Sequence, residues 1–326
     1  MRIAVAGATG LVGGAVLDWL GQPEWAGTEV VPYATSGNGR TVMCGAQELQ
    51  VQALPTEPPD VDFAFLAIPN DTARAIVPAW TKAGIRIVDK SSAYRLDPNV
   101  PLVVPEVNGD RITRETYLIA NPNCSTIPLA VALQPLRKAY GIRRVDVATY
   151  QAVSGAGFEA VKAWQSEIKG APLGNSPFPQ QIHGNVIPAI GSADEQGWYT
   201  EETKVNLELR KILDDDSMAV ACTAVRVPVM AGHSEAVVVK LGRETTIEEV
   251  LEVLGAEPAL TLERDPRIPL TPLQSEGNDN IFVGRVRIDP FDRRRVHLWV
   301  VTDNLRKGAA TNAIQILRRW IDVIGE

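Results

Sequence analysis

The residues that most constrain this chain stand at its start. Arg2-Ile3-Ala4-Val5-Ala6 is a short apolar run, Gly7-Ala8-Thr9-Gly10-Leu11-Val12-Gly13 follows at once, and apolar residues then recur at helical spacing through Val16, Leu17 and Leu20. Strand, glycine-rich turn and helix in that order open a doubly wound α/β domain. Gly7 permits a tight turn, Gly10 lets the backbone approach a pyrophosphate, and Gly13 lets the helix pack closely on the strand. The spacing, G-x-x-G-x-x-G, is a variant of the usual dinucleotide pattern. A generic tight turn would read the same in isolation; its place between a strand and a helix favours the nucleotide reading.

The next segments continue the alternation. A second strand is expected over residues 29–34. An acid at its end would take the ribose 2′-hydroxyl of NAD. Thr35-Ser36-Gly37-Asn38-Gly39-Arg40 stands there instead, and its hydroxyls, loop N–H groups and Arg suit a 2′-phosphate. NADP is therefore favoured over NAD, with a solvated loop as the competing reading of Ser36 and Arg40. Residues 61–68 form a run apolar enough for a buried parallel strand, 72–83 a helix and 85–89 another strand. Lys90-Ser91-Ser92-Ala93-Tyr94-Arg95 then lies at the carboxyl end of a strand, where such sheets bind ligands. Arg95 is a planar cation suited to phosphate or carboxylate, or else a surface Arg.

Bulk properties exclude several classes. At 326 residues, 45% hydrophobic and 22% charged, the chain can build two globular domains. Its 32 basic and 39 acidic residues give a net charge of −7, which argues against nucleic acid or an anionic membrane as the main partner. Cys44, Cys124 and Cys222 are widely spaced, with neither a disulfide framework nor a metal-ligand spacing, so no metal and a reducing cytoplasm are expected. No leader pattern and no run of membrane-spanning length is apparent.

Cys124 lies in Asn121-Pro122-Asn123-Cys124-Ser125-Thr126, between a strand ending at Ala120 and the apolar run 127–133. Ser125 and Thr126 suit helix capping, and Pro128 is tolerable only in a first turn. Such a seat puts the sulfur at a helix N-terminus, which favours the thiolate and so a nucleophile. The alternative is a buried Cys used as a small hydrophobe.

Beyond it, residues 144–151 alternate as a strand with one buried face, Gln151-Ala152-Val153-Ser154-Gly155-Ala156-Gly157 makes a second glycine-rich turn, and 158–168 reads as a helix. Residues 170–197, rich in Pro and Gly, read as a long ordered loop and an oligomer contact. A helix starts at Thr200 as N-cap, with Thr203 failing the capping box; Glu201 and Lys204 share its face, where an exposed ion pair would be worth little. Strands at 220–229 and 235–240 place His233 in the turn between them, with Arg226 interrupting the apolar register of the first. His297 lies within a strand and reads as structural, while His183 is in the long loop. Cys222 reads as core and Cys44 as half-exposed. An amphipathic helix at 246–254, antiparallel strands at 278–288 and 295–302, and a last helix through 313–323 complete the chain.

These residues resemble the aspartate-β-semialdehyde dehydrogenase family nearly end to end. The matching motifs are Gly7-Ala8-Thr9-Gly10 with Gly13, Ser91 through Arg95, Asn121 through Thr126, Gln151 through Gly157, Glu201-x-x-Lys204, Arg226 to Gly232-His233-Ser234-Glu235, and Asp303-Asn304-Leu305 with Lys307-Gly308-Ala309-Ala310. The resemblance implies a Rossmann-type dinucleotide-binding domain (1–123 plus 305–326) and an α+β catalytic and dimerisation domain (124–304) with a largely antiparallel sheet. The last helix would fold back on the first domain, and the assembly would be a homodimer or homotetramer.

The resemblance also implies roles. Cys124 is similar to the acyl-carrying nucleophile, His233 to the acid/base and Gln151 to the residue positioning the acyl group. Arg226 resembles the Arg that holds the substrate carboxylate, and Glu201 the acid that meets its amino group. Arg95, Asn123 and Lys204 resemble the phosphate site. Gly7, Thr9, Gly10, Leu11, Val12, Ser36, Gly37, Ser154, Gly155 and Asn304 resemble cofactor contacts. The implied reaction converts L-4-aspartyl phosphate and NADPH to L-aspartate 4-semialdehyde and inorganic phosphate, in biosynthesis of lysine, threonine, methionine and diaminopimelate. The sequence departs from the family after the second strand, where Gly37-Asn38 stand near the usual Ser-x-Arg-Ser-like segment, at Pro69-Asn70-Asp71, and at Lys90, where Asn is common. Two rivals are weighed. One is an N-acetyl-γ-glutamyl-phosphate reductase, which needs no Glu201 and usually has Gly before its Cys. The other is a non-catalytic dinucleotide sensor with Cys124 and His233 structural.

Overall fold

The structure, a computed structural model, describes residues 1–35, 39–171, 174 and 176–325. The chain divides into two compact units, one of Met1–Asn123 with Ala309–Glu326 and one of Cys124–Gly308.

The first unit is built on six parallel strands in the order Gln52–Ala53, Glu29–Ala34, Arg2–Ala6, Phe63–Leu66, Arg86–Asp89, Leu118–Ala120. Burial on both faces requires continuous apolar runs, and each central strand feeds both layers by alternation. Ile3, Val5, Phe63 and Phe65 meet Leu17 of the helix Leu11–Leu20 and Ile314, Leu317 and Trp320 of the terminal helix Thr311–Gly325. Ala4, Ala6, Ala64 and Leu66 meet Ile76, Val77 and Trp80 of the helix Asn70–Lys82 on the other face. That helix begins two residues before the expected start. Cys44, expected half-exposed, is buried: the hairpin Thr41–Cys44 with Gln47–Gln50 packs it on Leu17, whose carbonyl accepts from its Sγ at 3.5 Å.

Gly7 has φ 86°, and a Cβ on Gly13 would meet the Gly7 carbonyl oxygen at 2.1 Å. The strand-to-helix turn is therefore open only to glycine at both places.

The second unit carries a six-stranded sheet in the order Ala219–Arg226, Ile142–Gln151, His233–Leu241, Arg295–Thr302, Ile281–Ile288, Leu260–Leu262. The three inner pairings are antiparallel and the two outer ones parallel. Helices Thr126–Tyr140 and Thr200–Leu213 pack against it. The expected helix over 158–168 is Phe158–Ile168, and Thr246 caps Ile247–Gly255 in a full box with Glu249.

Two local expectations change, at the start of one helix and at His233. The helix Thr200–Leu213 has Tyr199, not Thr200, at its N-cap, so Glu202 is the third helical residue and its Oε2 accepts the Tyr199 N–H at 2.9 Å. His233 opens a strand rather than lying in the turn before it. The loop 170–197 is pinned by a bridge between Ile187 and Arg226 and by Glu167, whose Oε2 accepts the N–H groups of Ile182 and His183. His297, expected to be structural, pairs with Asp289 at 3.1 Å. No helix among the described residues is long and apolar enough to cross a membrane.

Candidate active site

Cys124 comes two residues before the helix Thr126–Tyr140, with Ser125 as its N-cap. Pro128 is the third helical residue, where a missing N–H costs no intrahelical bond. Ser125 is helical in conformation and its side chain makes no capping bond, so the expected hydroxyl cap is not formed. A helix start without a hydroxyl cap favours an anion beside it. Gly308 comes close behind: a Cβ there would lie 3.3 Å from that of Cys124.

The Cys124 sulfur stands 3.3 Å from Nε2 of His233. The other ring nitrogen, Nδ1, accepts the backbone N–H of Ala152 at 3.1 Å. A backbone amide can only donate, so Nδ1 carries a lone pair and the neutral ring carries its proton on Nε2, facing the sulfur. That N–H donates best to a thiolate. The ring is 1% exposed, and burial, then the Arg226 charge, hold its pKa well below 6.5 against a smaller opposing effect of the Gly232 backbone. The imidazole is therefore neutral at neutral pH.

Arg226 ends its strand and donates from Nη1 to the Ala152 carbonyl at 2.7 Å. The main chain of Ala152 is thus held at both ends, by the Arg on its carbonyl oxygen and the His on its N–H, in two successive peptide groups. Ala152 had no signal in the sequence, because it acts through its main chain. Burial lowers the Arg226 pKa, opposed by the charges of Glu201 and Cys124. Gly155 leaves room for both side chains: a Cβ there would lie 2.9 Å from Arg226 Nη1 and 3.1 Å from His233 Cε1.

Gln151 is fixed at both ends of its amide. Its Oε1 accepts from the Thr149 hydroxyl at 3.0 Å, and its Nε2 donates to Glu201 Oε1 at 3.0 Å. Glu201 lies 3.8 Å from Lys204 and is 8% exposed, so this is not the surface ion pair expected of the helix face. Gly155, Ile187, Tyr199, Glu201, Lys204 and Arg226 line a cavity of about 890 Å³.

Ser154 and Asn304 bond to each other, Asn304 Nδ2 to Ser154 Oγ at 3.0 Å, and Asn304 Oδ1 accepts the Gly232 N–H at 2.9 Å. They tie the turn after Gln151 to the residue before His233.

In the first unit, Gly7, Thr9, Gly10, Leu11 and Val12 form the turn and first helical residues after the strand Arg2–Ala6, the place where such a sheet receives a pyrophosphate; the N–H groups of Gly7 and Gly10 hold the turn itself, donating to the carbonyls of Tyr33 and Gly7 at 2.9 Å each. Ser36 and Gly37 lie outside the described residues. Arg95 is buried, not a surface residue, and donates to the carbonyls of Ser91 at 3.0 Å and Lys90 at 2.6 Å. Asp89, whose carboxyl is pushed up chiefly by burial, holds that loop through the Ser91 N–H and hydroxyl. Asn312 Nδ2 anchors Asn121 at 2.8 Å, which sets the approach to buried Asn123.

Comparison with known proteins decides what this arrangement belongs to. A family model described as semialdehyde dehydrogenase, NAD binding domain, matches residues 2–115, and one described as semialdehyde dehydrogenase, dimerisation domain, matches residues 133–307. Aspartate-semialdehyde dehydrogenase of Aquifex aeolicus is 42% identical over 330 residues, covering 97% of this chain and 96% of that protein. The chain belongs to the aspartate-semialdehyde dehydrogenase family. The enzyme of that name from Bacillus subtilis is 40% identical over 332 residues, covering 97% of this chain and 96% of its own. A crystal structure of aspartate semialdehyde dehydrogenase II from Vibrio cholerae, complexed with ASA, superposes with a TM-score of 0.93 at 37% identity and 98% coverage of both chains.

Membership in the aspartate-semialdehyde dehydrogenase family makes this chain an oxidoreductase of amino-acid biosynthesis, with a Rossmann-type nucleotide domain followed by a mixed-sheet domain. Among the described residues no cluster of three or more His, Cys, Asp or Glu side chains could hold a metal ion.

Proposed function

We propose that the chain catalyses the reversible, NADP-dependent reductive dephosphorylation of L-4-aspartyl phosphate to L-aspartate 4-semialdehyde through a thioester on Cys124. The observation that carries this reading is the 3.3 Å contact of the Cys124 sulfur with a His233 nitrogen that must bear a proton. The thiolate attacks the acyl carbon, and the carbon–oxygen bond to phosphate breaks as the carbon–sulfur bond forms. A bound nicotinamide supplies the hydride that reduces the thioester carbonyl. His233 shares its Nε2 proton with the resulting alkoxide and keeps it as the carbon–sulfur bond breaks, releasing aldehyde and thiolate.

The remaining residues orient the substrate. Arg226 offers a planar fork to the α-carboxylate, Glu201 an acceptor to the ammonium and Gln151 its free amide N–H to the acyl oxygen. Arg95, Asn123 and Lys204 hold the phosphate, as positive charge and hydrogen-bond donors suit its departure. The turn Gly7 to Val12, Ser36, Gly37, Ser154, Gly155 and Asn304 hold the nucleotide. Thr35, Ser36 and Arg40, with no acid after the second strand, favour NADP. The match to a dimerisation domain supports a homodimer or homotetramer, and three cysteines outside any disulfide suit a reducing cytoplasm.

One assay tests the reading: reduction of NADP⁺ that requires both the semialdehyde and phosphate, with NAD⁺ titrated in parallel. The N-acetylated glutamate semialdehyde is the control, since its masked amino group gives Glu201 nothing to meet. Turnover of that control, or none with aspartate semialdehyde, overturns the assignment.

A further inference from the structure

Glu235 is a buried group that this reaction leaves unused. It is the third residue of the strand His233–Leu241, so its side chain leaves the same face of the sheet as that of His233. It is 1% exposed, and neither of its carboxyl oxygens has a hydrogen-bond partner. Its register partner across the ladder is Thr149, and such directly opposed residues have Cβ atoms about 5 Å apart. Thr149 is itself buried, and its hydroxyl hydrogen is committed to Gln151 Oε1. Among the described residues nothing donates to the Thr149 oxygen. A carboxyl lacking an acceptor and a hydroxyl oxygen lacking a donor therefore share one rung of the sheet.

We propose that Glu235 is a positioning residue for the reaction, the outer end of a row Glu235–Thr149–Gln151–Glu201 that fixes the Gln151 amide for the acyl group. The proposal rests on the reading of Gln151 given above. An ionised carboxylate without partners does not survive full burial, so the group stays protonated, and burial does push its carboxyl well above 4.5. The surrounding charges agree. Glu201 and Glu202 on the helix Thr200–Leu213 are acidic, and Cys222 on the outer strand is a thiol that burial above all keeps protonated. Arg226 gives an Nη1 hydrogen to the Ala152 carbonyl and none to Glu235. The neutral acid gives its O–H to Thr149 after a side-chain rotation or across one ordered water. Thr149 must then keep its own hydrogen on Gln151 Oε1, while Glu201 holds one Nε2 hydrogen. The amide cannot flip, and its second Nε2 hydrogen points to the substrate.

The test compares wild type with Glu235→Gln, Glu235→Leu, Thr149→Val and the Glu235→Leu/Thr149→Val double variant in the phosphate-dependent assay. Glu235→Gln keeps a donor and is expected to hold kcat within about threefold of wild type. Glu235→Leu and Thr149→Val each lower kcat by roughly 10- to 100-fold with KM for the semialdehyde little changed, and the double variant is no worse than the poorer single one. Equal losses in Glu235→Gln and Glu235→Leu, additive losses in the double variant, or a lowered melting temperature with unchanged kcat each overturn the proposal. An infrared difference spectrum of wild type against Glu235→Gln is expected to show a protonated carboxyl, and a carboxylate band in its place also overturns it. Inactivity of wild type itself counts against the reaction, whereas the infrared band still decides the state of Glu235.

Discussion

The sulfur of Cys124 and Nε2 of His233 stand 3.3 Å apart although 109 residues separate them in the chain. The nucleophile precedes a helix and the imidazole opens a strand, so folding of the second unit alone joins them. Cys124→Ala is expected to abolish phosphate-dependent turnover while NADPH still titrates onto the protein. Residual phosphate-dependent activity would refute the covalent route.

Arg226→Lys keeps the charge but loses the fork and the bond to the Ala152 carbonyl. kcat/KM for the semialdehyde is expected to fall by roughly 100-fold, the cost of losing charge-assisted hydrogen bonds at a buried site. Steady-state constants near those of wild type would remove Arg226 from carboxylate binding.

Gly155→Ala places a methyl group against Arg226 Nη1 and the His233 ring. Displacing the imidazole from the sulfur is expected to cut kcat about 10- to 100-fold, as misplacement of about an ångström does elsewhere. The measurement is kcat beside melting temperature, and a kcat equal to wild type would mean that the ring has slack the structure does not suggest.

The His233 pKa, held well below 6.5 in the fold, has two consequences for pH. No acid limb near 6.5 from this residue is expected in kcat/KM. Stability carries the second signature. As pH falls through the unfolded-state value of 6.5, the unfolded chain takes up a proton that the folded site refuses, so stability drops. Relative to His233→Gln, wild type is expected to lose at most about 1.4 kcal/mol per pH unit below that point, read from denaturant midpoints. A constant difference from pH 7 to pH 5 would contradict the neutral buried imidazole.

Trp320, fully buried near the end of the chain, packs edge-on against Phe63 at 6.1 Å between ring centroids. Trp320→Ala is expected to destabilise the protein by about 3–5 kcal/mol, the usual cost of emptying a large core site. A change under about 1 kcal/mol in denaturant unfolding would show that the last helix adds little to the first unit.

Where local chemistry governs, the sequence is readable. Gly7 and Gly13 announce the nucleotide turn because no other residue fits, and Ile3 to Ala6 announce a strand buried on both faces. The failures occur where a particular partner, and not the residue type, decides. Cys44 is buried only because its hairpin lies on Leu17. Tyr199 is no capping type, and the cap is made in reverse by Glu202. Arg95 is inside because two carbonyls of its own loop turn toward it. Thr149 and Ala152 carry no pattern at all: one is an ordinary strand residue, and the other contributes only its peptide group.

That last peptide group has a genetic corollary. The state of the imidazole is written into the main chain at Ala152, so most substitutions of that side chain leave the donor in place. Only a change to the backbone itself, a proline or an ester at that bond, removes the hydrogen that decides which ring nitrogen is protonated.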